Sequence, residues 1–118
     1  MSIIKTHKDL DAWKKSIELV SFIYETTKKF PKEELFGITS QIRRAAISVP
    51  SNIAEGFGRN TAGELKQFIG IAQGSLSELE TLLIIARNLG FIDTERFNIA
   101  TNSISQIFKL TGGLKAKL

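Results

Sequence analysis

QIRRAAISVPSNIAEGFGR, residues 41–59, carries apolar side chains at Ile42, Ala45, Ala46, Val49 and Ile53. Steps of three and four put them on one face of a helix. Ser40, Arg44, Ser48, Ser51 and Glu55 gather on the opposite face. Pro50 interrupts the run without disturbing its phase, because Val49 and Ile53 stay in register across it. A proline inside a helix removes one backbone hydrogen bond and crowds the preceding turn, at a cost of about 3 kcal/mol. The spacing therefore predicts one helix kinked at Pro50 and not two helices.

Working outward toward the N-terminus, Phe30-Pro31-Lys32 makes a turn. Proline disfavours helical geometry in the residue before it, so Phe30 ends the first helix or lies just beyond it. Glu33 and Glu34 place negative charge where the second helix is expected to begin. The first helix is expected to run from Lys8 or Asp9 to about Lys29. Its stripe is Leu10, Trp13, Ile17, Val20, Tyr24 and Thr27, broadened by Leu19, Phe22 and Ile23, which suits contact with two or more neighbours.

Toward the C-terminus, Gly56-Phe57-Gly58 reads as a stop made by the left-handed geometry that glycine tolerates. Thr61-Ala62-Gly63-Glu64 has the form of a capping box, which starts a third helix spanning about Ala62 to Asn88. Leu65, Phe68, Ala72, Leu76, Leu79, Leu83 and Ala86 form its core face. Gly63, Gly70, Gly74, Ser77 and Thr81 lie opposite, flanked by Ile71, Ile84 and Ile85. A glycine inside a helix costs about 1 kcal/mol relative to alanine, so the pair Gly70 and Gly74 calls for a reason. Close approach by a helix of another subunit supplies one, which makes Gly70, Gly74, Ser77 and Thr81 the candidate subunit interface. A solvent face that merely tolerates small residues is the alternative.

Asn88-Leu89-Gly90-Phe91 ends the third helix, and Asp93 is placed to cap a fourth. Phe97, Ala100, Ile104, Ile107, Thr111 and Leu114 form the fourth stripe, with Phe108 and Leu110 beside it. Gly112-Gly113 is expected to fray this helix and leave Leu114 to Leu118 as a mobile tail. Four amphipathic helices with short connections and no strand give an all-α, up-down four-helix bundle made from one domain of 118 residues.

The run QIRRAAISVPSNIAEGFGR, together with FIGIAQGSLSELE at residues 68–80, Asp9, Leu10, Trp13 and Phe30-Pro31, resembles the small four-helix bundle proteins encoded in intervening sequences of bacterial 23S ribosomal RNA genes. The resemblance implies a bundle that assembles into a homo-oligomer, a ring-shaped pentamer. A related protein, the accessory variability determinant of diversity-generating retroelements, is similar to this family and binds nucleic acid and a reverse transcriptase.

Composition narrows the choice of function. The chain has no cysteine, which excludes disulfides and thiolate metal sites and fits a reducing compartment. Its longest uninterrupted apolar run is Leu82 to Ala86, and MSIIKTHKDL has no hydrophobic leader core, so a cytoplasmic location with no membrane partner is expected. The single histidine, His7, has no second ligand of its kind. Glu78 and Glu80 differ by two positions and point apart on a helix. No Glu-x-x-His pair offers a di-iron site. GFGRN lacks the GK[ST] ending of a phosphate-binding loop. No catalytic residue, metal or cofactor is expected.

The net charge is +4, and it is unevenly spread. Acids and bases cancel through residue 95. The excess is Arg96, Lys109, Lys115 and Lys117, with no acid after Glu95. With Arg43, Arg44 and Arg59, the three lysines Lys109, Lys115 and Lys117 form the candidate nucleic-acid-binding set, suited to phosphate contacts on RNA or DNA that ignore sequence. The competing account is that cations near a helix C-terminus favour the macrodipole, in a protein-interaction scaffold whose charge is incidental.

Overall fold

The structure is a computed structural model that describes residues 6–118. A 3-10 turn at His7–Asp9 leads into α1 (Asp11–Thr27), and a second 3-10 turn at Lys32–Glu34 precedes α2 (Ile38–Phe57). Then come α3 (Ala62–Asn88) and α4 (Thr94–Ala116), with no strand among the described residues. The reading of Met1 to Lys5 as part of a segment without a leader lies outside the described residues.

Each helix packs on its neighbours in sequence, and α4 closes the ring against α1. Side-chain pairings fix the register. Thr27 on α1 meets Arg43 on α2, Ser48 on α2 meets Ser75 on α3, and Gln73 on α3 meets Thr111 on α4. Successive helices are therefore antiparallel, in a bundle of 46 × 24 × 19 Å. At about 1.5 Å per residue, the 27 residues of α3 account for most of that length.

Ile23, Ile42, Val49, Ile53, Ile69, Leu76, Leu79, Leu83 and Ile107 are fully enclosed along the axis. Burying each such side chain contributes about 1.5–3 kcal/mol, so this column dominates the stability of the fold. α2 runs unbroken through Pro50, which is itself buried. Phe97, Ala100, Ile104, Ile107 and Thr111 face the core from α4, as their spacing predicts.

Four expectations need correction. On α1 the enclosed residues are Ala12, Ser16, Leu19, Ile23, Thr26 and Thr27, while Ile17 and Tyr24 are 41% and 36% exposed and Trp13 is half-buried. Leu10, Leu19, Ile23 and Thr27 of the expected stripe are buried and Trp13, Val20 and Phe22 pack on the core, so the correction concerns Ile17 and Tyr24, which face solvent. Two of the three enclosed hydroxyls bond to their own helix, Ser16 Oγ donating to the Trp13 carbonyl and Thr27 Oγ1 to the Ile23 carbonyl, while Thr26 Oγ1 has no partner. Second, Glu33 and Glu34 form a 3-10 turn, and α2 starts only after Gly37.

Third, Gly56 and Gly58 do not end α2 by left-handed backbone. Gly58 has φ −83°, and among described residues only Gly90 has positive φ, 78°. Gly56 is required for space instead, since a Cβ there would stand 2.9 Å from both Leu65 Cδ1 and Phe68 Cβ, where α2 meets α3. Fourth, α4 continues helically across Gly112 and Gly113 to Ala116.

The capping signals hold. Thr61 Oγ1 accepts from the Glu64 amide at 3.1 Å and donates to Glu64 Oε1 at 3.1 Å. Thr61→Ala is expected to cost about 1 kcal/mol, read as a lower urea midpoint at unchanged slope. An unchanged midpoint would show that this cap contributes nothing to the fold.

Candidate nucleic-acid interface

The six cations singled out in the sequence do not converge. Arg43 and Arg44 sit in the first third of α2, and Arg59 lies just past its last residue, roughly 20 Å away at the helical rise. Lys115 and Lys117 end α4, and the antiparallel register brings them to the same end of the bundle as Arg59. Lys109 stands two turns earlier, on a hollow of about 370 Å³ between α3 and α4, with Ser77, Glu80 and Phe108.

Three of the six are already engaged within the chain. Arg43 donates from Nε to Thr27 Oγ1 at 2.9 Å and lies 4.6 Å over the Tyr24 ring. Arg59 pairs with Glu55 at 2.7 Å and lies 4.8 Å over the Phe68 ring, so it clamps α2 to α3. Lys115 is half-buried, its Nζ 3.5 Å from where a Cβ on Gly70 would stand. Arg44, Lys109 and Lys117 are exposed and have no ion pair among the described residues. They are the cations left for a partner.

The small-residue face of α3 is divided in the same way. Gly70 lies beside the end of α4, where a Cβ would make only ordinary contact with Lys115 Nζ at 3.5 Å, so packing within the chain does not require a glycine there. Gly74, Ser77 and Thr81 are exposed, and a Cβ on Gly74 would meet nothing within 4 Å. Ile71, Ile84 and Ile85 beside them are 46%, 38% and 42% exposed. An 18-residue window of α3 has a mean hydropathy of 1.3, high because its core face is joined by exposed isoleucines, while Gln67, Glu78 and Glu80 also stand on the solvent side. The search for uninterrupted apolar runs overlooked this, because Glu78 and Glu80 break the run without making the helix polar.

The signature segment serves the α2–α3 contact. Ser48 Oγ and Ser75 Oγ are 2.7 Å apart, and Asn52 Nδ2 donates to Ser48 Oγ at 2.8 Å and to the Ser48 carbonyl at 2.7 Å. Asn52 and Glu55, one turn apart, go separate ways: Asn52 back to Ser48 and Glu55 on to Arg59. Arg44 borders an open hollow of about 360 Å³ beside this network, with Gln41, Ser48 and Glu78.

His7 stacks edge-on against Trp13 at 5.1 Å. No group of three or more acidic or histidine side chains among the described residues is arranged to hold a metal ion. Asp93 is a capping group: the Arg96 amide, 2.8 Å from Oδ1, and the Arg96 guanidinium hold its carboxyl below the usual carboxylate range. A depressed carboxyl stabilises the fold above its unfolded value and loses that effect as pH falls through its folded value. The stability difference between wild type and Asp93→Ala is therefore expected to be largest near neutral pH and to shrink in acid, below about pH 4. Urea melts at three pH values test this, and a gap that widens in acid would contradict it.

Two comparisons with known proteins agree. A family model described as 23S rRNA-intervening sequence protein matches residues 8–113. A crystal structure of a protein of unknown function from the S23 ribosomal protein family, from Bacteroides thetaiotaomicron, matches with a TM-score of 0.82 at 24% identity, covering 89% of this chain and 95% of that chain. At that identity the likeness shows the fold alone. No curated protein matches the chain.

Proposed function

The chain belongs to the 23S rRNA-intervening sequence protein family, and from that premise we propose that it is a non-enzymatic, cytoplasmic homo-oligomer that binds RNA or DNA through phosphate contacts. The observation that carries the reading is that three cations of the candidate set, Arg44, Lys109 and Lys117, are exposed without an ion pair among the described residues, on a chain of net charge +4. An oligomer repeats each of them, and repetition turns weak contacts into useful affinity. A pentameric ring is the form the sequence resemblance implies.

Assembly is supported by α3. Three isoleucines on one helix, Ile71, Ile84 and Ile85, stand exposed beside the small residues Gly74, Ser77 and Thr81, a surface suited to close approach by a second helix. The same face, with Phe36 at 94% exposure on the α1–α2 connection, favours a second reading in which the oligomer is a scaffold for another protein.

Fluorescence anisotropy with structured RNA, duplex DNA and single-stranded DNA over a salt series separates the two. Micromolar or tighter binding that weakens steeply with salt is expected from phosphate contacts. No binding at low salt, by protein confirmed folded and oligomeric, would leave the scaffold.

A further inference from the structure

Where α1 ends and α2 begins, Phe30 and Leu35 wall a hollow of about 240 Å³ whose charged lining consists of Lys28, Lys32 and Arg43. No carboxylate borders it. Lys28 pairs with Glu25 at 3.1 Å, but both side chains are about 70% exposed, so that pair is weak and easily exchanged. Lys32 is exposed and has no ion pair among the described residues. Glu34 stands beside Gly37 and takes no part in the wall.

Two features distinguish this hollow from an ordinary basic surface. The Arg43 guanidinium is held in place by its Nε bond to Thr27 and by the Tyr24 ring, while its two Nη groups have no partner among the described residues. A planar fork fixed at its base and free at its tip is suited to a two-point contact with an oxyanion. Thr39, which also lines the hollow, is 2% exposed and its Oγ1 has no hydrogen-bond partner. A buried hydroxyl without a partner is costly and calls for an explanation. Thr26 Oγ1 is likewise buried without a partner and does not line the hollow, so what marks Thr39 is its place beside the Arg43 fork, where an anion would give its hydroxyl an acceptor.

We propose that this hollow is a seat for one phosphate-type oxyanion, bound by Arg43, Lys28 and Lys32 with the Thr39 hydroxyl as a further donor. Its volume lies below the roughly 300 Å³ at which pockets for whole small molecules begin, so the seat takes a single phosphate group, free or as part of a longer molecule. The proposal goes beyond the nucleic-acid reading and does not depend on it, since inorganic phosphate has the same chemistry as a backbone phosphodiester.

The test is an amide and arginine-side-chain NMR titration of the full chain at constant ionic strength, using inorganic phosphate in one arm and a dinucleotide phosphodiester in the other. Saturable movement of the Thr39 amide and the Arg43 Nε–H signal is expected with phosphate. Lys32→Gln and Thr39→Val are each expected to weaken it by up to about tenfold, the loss of one charge-assisted or buried hydrogen bond. Lys32 is exposed, so Lys32→Gln reads binding without disturbing the fold. Movement with the dinucleotide as well assigns the seat to nucleic-acid backbone; movement with phosphate alone assigns it to a free anion. If neither probe moves these signals saturably, or if both variants titrate like wild type, the seat is overturned. Nucleic-acid binding by a protein in which neither probe moves Thr39 and Arg43 would overturn the seat and keep the interface, while phosphate binding here without nucleic-acid affinity would do the reverse.

Discussion

Gly74→Leu is expected to take the oligomer apart while leaving each bundle folded and slightly more stable. A Cβ at Gly74 meets nothing within 4 Å in its own chain, so the leucine has room in the monomer. Replacing an exposed interior glycine by a good helix former contributes up to about 1 kcal/mol to the helix itself. Between subunits the effect has the opposite sign. A contact that relies on backbones approaching closely over Gly74, Ser77 and Thr81 has no space for an isobutyl group. Light scattering reads the assembly and a urea melt reads the fold. An intact oligomer would move the interface off this face of α3, toward the apolar groove of Trp13, Ile17, Ile47 and Pro50 between α1 and α2.

The second large effect is on salt dependence. Replacing Lys109, Lys115 and Lys117 together by glutamine removes up to three phosphate contacts from each protomer that touches duplex DNA. Each contact adds about 0.9 to the slope of log affinity against log salt, so the slope falls by roughly 2.7. Between 50 and 200 mM salt, wild type then loses about 40-fold more affinity than the variant. Lys115 lies half-buried against Gly70, so its share is expected to be the smallest of the three, and single variants resolve it. An unchanged slope would take the end of α4 out of the interface and leave Arg44 as the remaining exposed cation of the set.

The elements that were legible in the sequence are those with punctuation at both ends. α3 begins at a threonine cap and ends before a left-handed Gly90, and its bounds, Ala62–Asn88, follow from those signals alone. α4 could be read because Asp93 caps it and its apolar stripe is unrivalled. α1 carries a broad apolar stripe, and hydropathy placed Ile17 and Tyr24 within it where the fold puts Ser16 and Thr26 instead. It does not register that Ser16 and Thr27 lose little on burial when each bonds to its own helix. The start of α2 was misplaced because acidic residues mark a helix start on average, whereas Gly37 breaks the chain between Glu34 and Ile38.

The cations were harder, since their identity was plain and their availability was not. The Arg59–Glu55 pair has i, i+4 spacing and was open to reading. Arg43's engagement with Thr27 and Tyr24 depends on how α1 meets α2, which no local pattern encodes. Thr39 stood unnoticed for the same reason: it is one turn before Arg43, but only the fold encloses its hydroxyl.

The two glycines inside the end of α4 bear on how that end behaves in time. A helical Gly112-Gly113 carries about 2 kcal/mol less intrinsic helix stability than two alanines would. Beyond them only Leu114 is drawn toward the core. The last turn is therefore the part of α4 whose amides open most readily, with a local free energy far below that of the whole domain. Lys115 and Lys117 ride on it. Opening of this turn would carry Lys115 and Lys117 out of their helical positions, so amide exchange within α4 is expected to be fastest over residues 114–118.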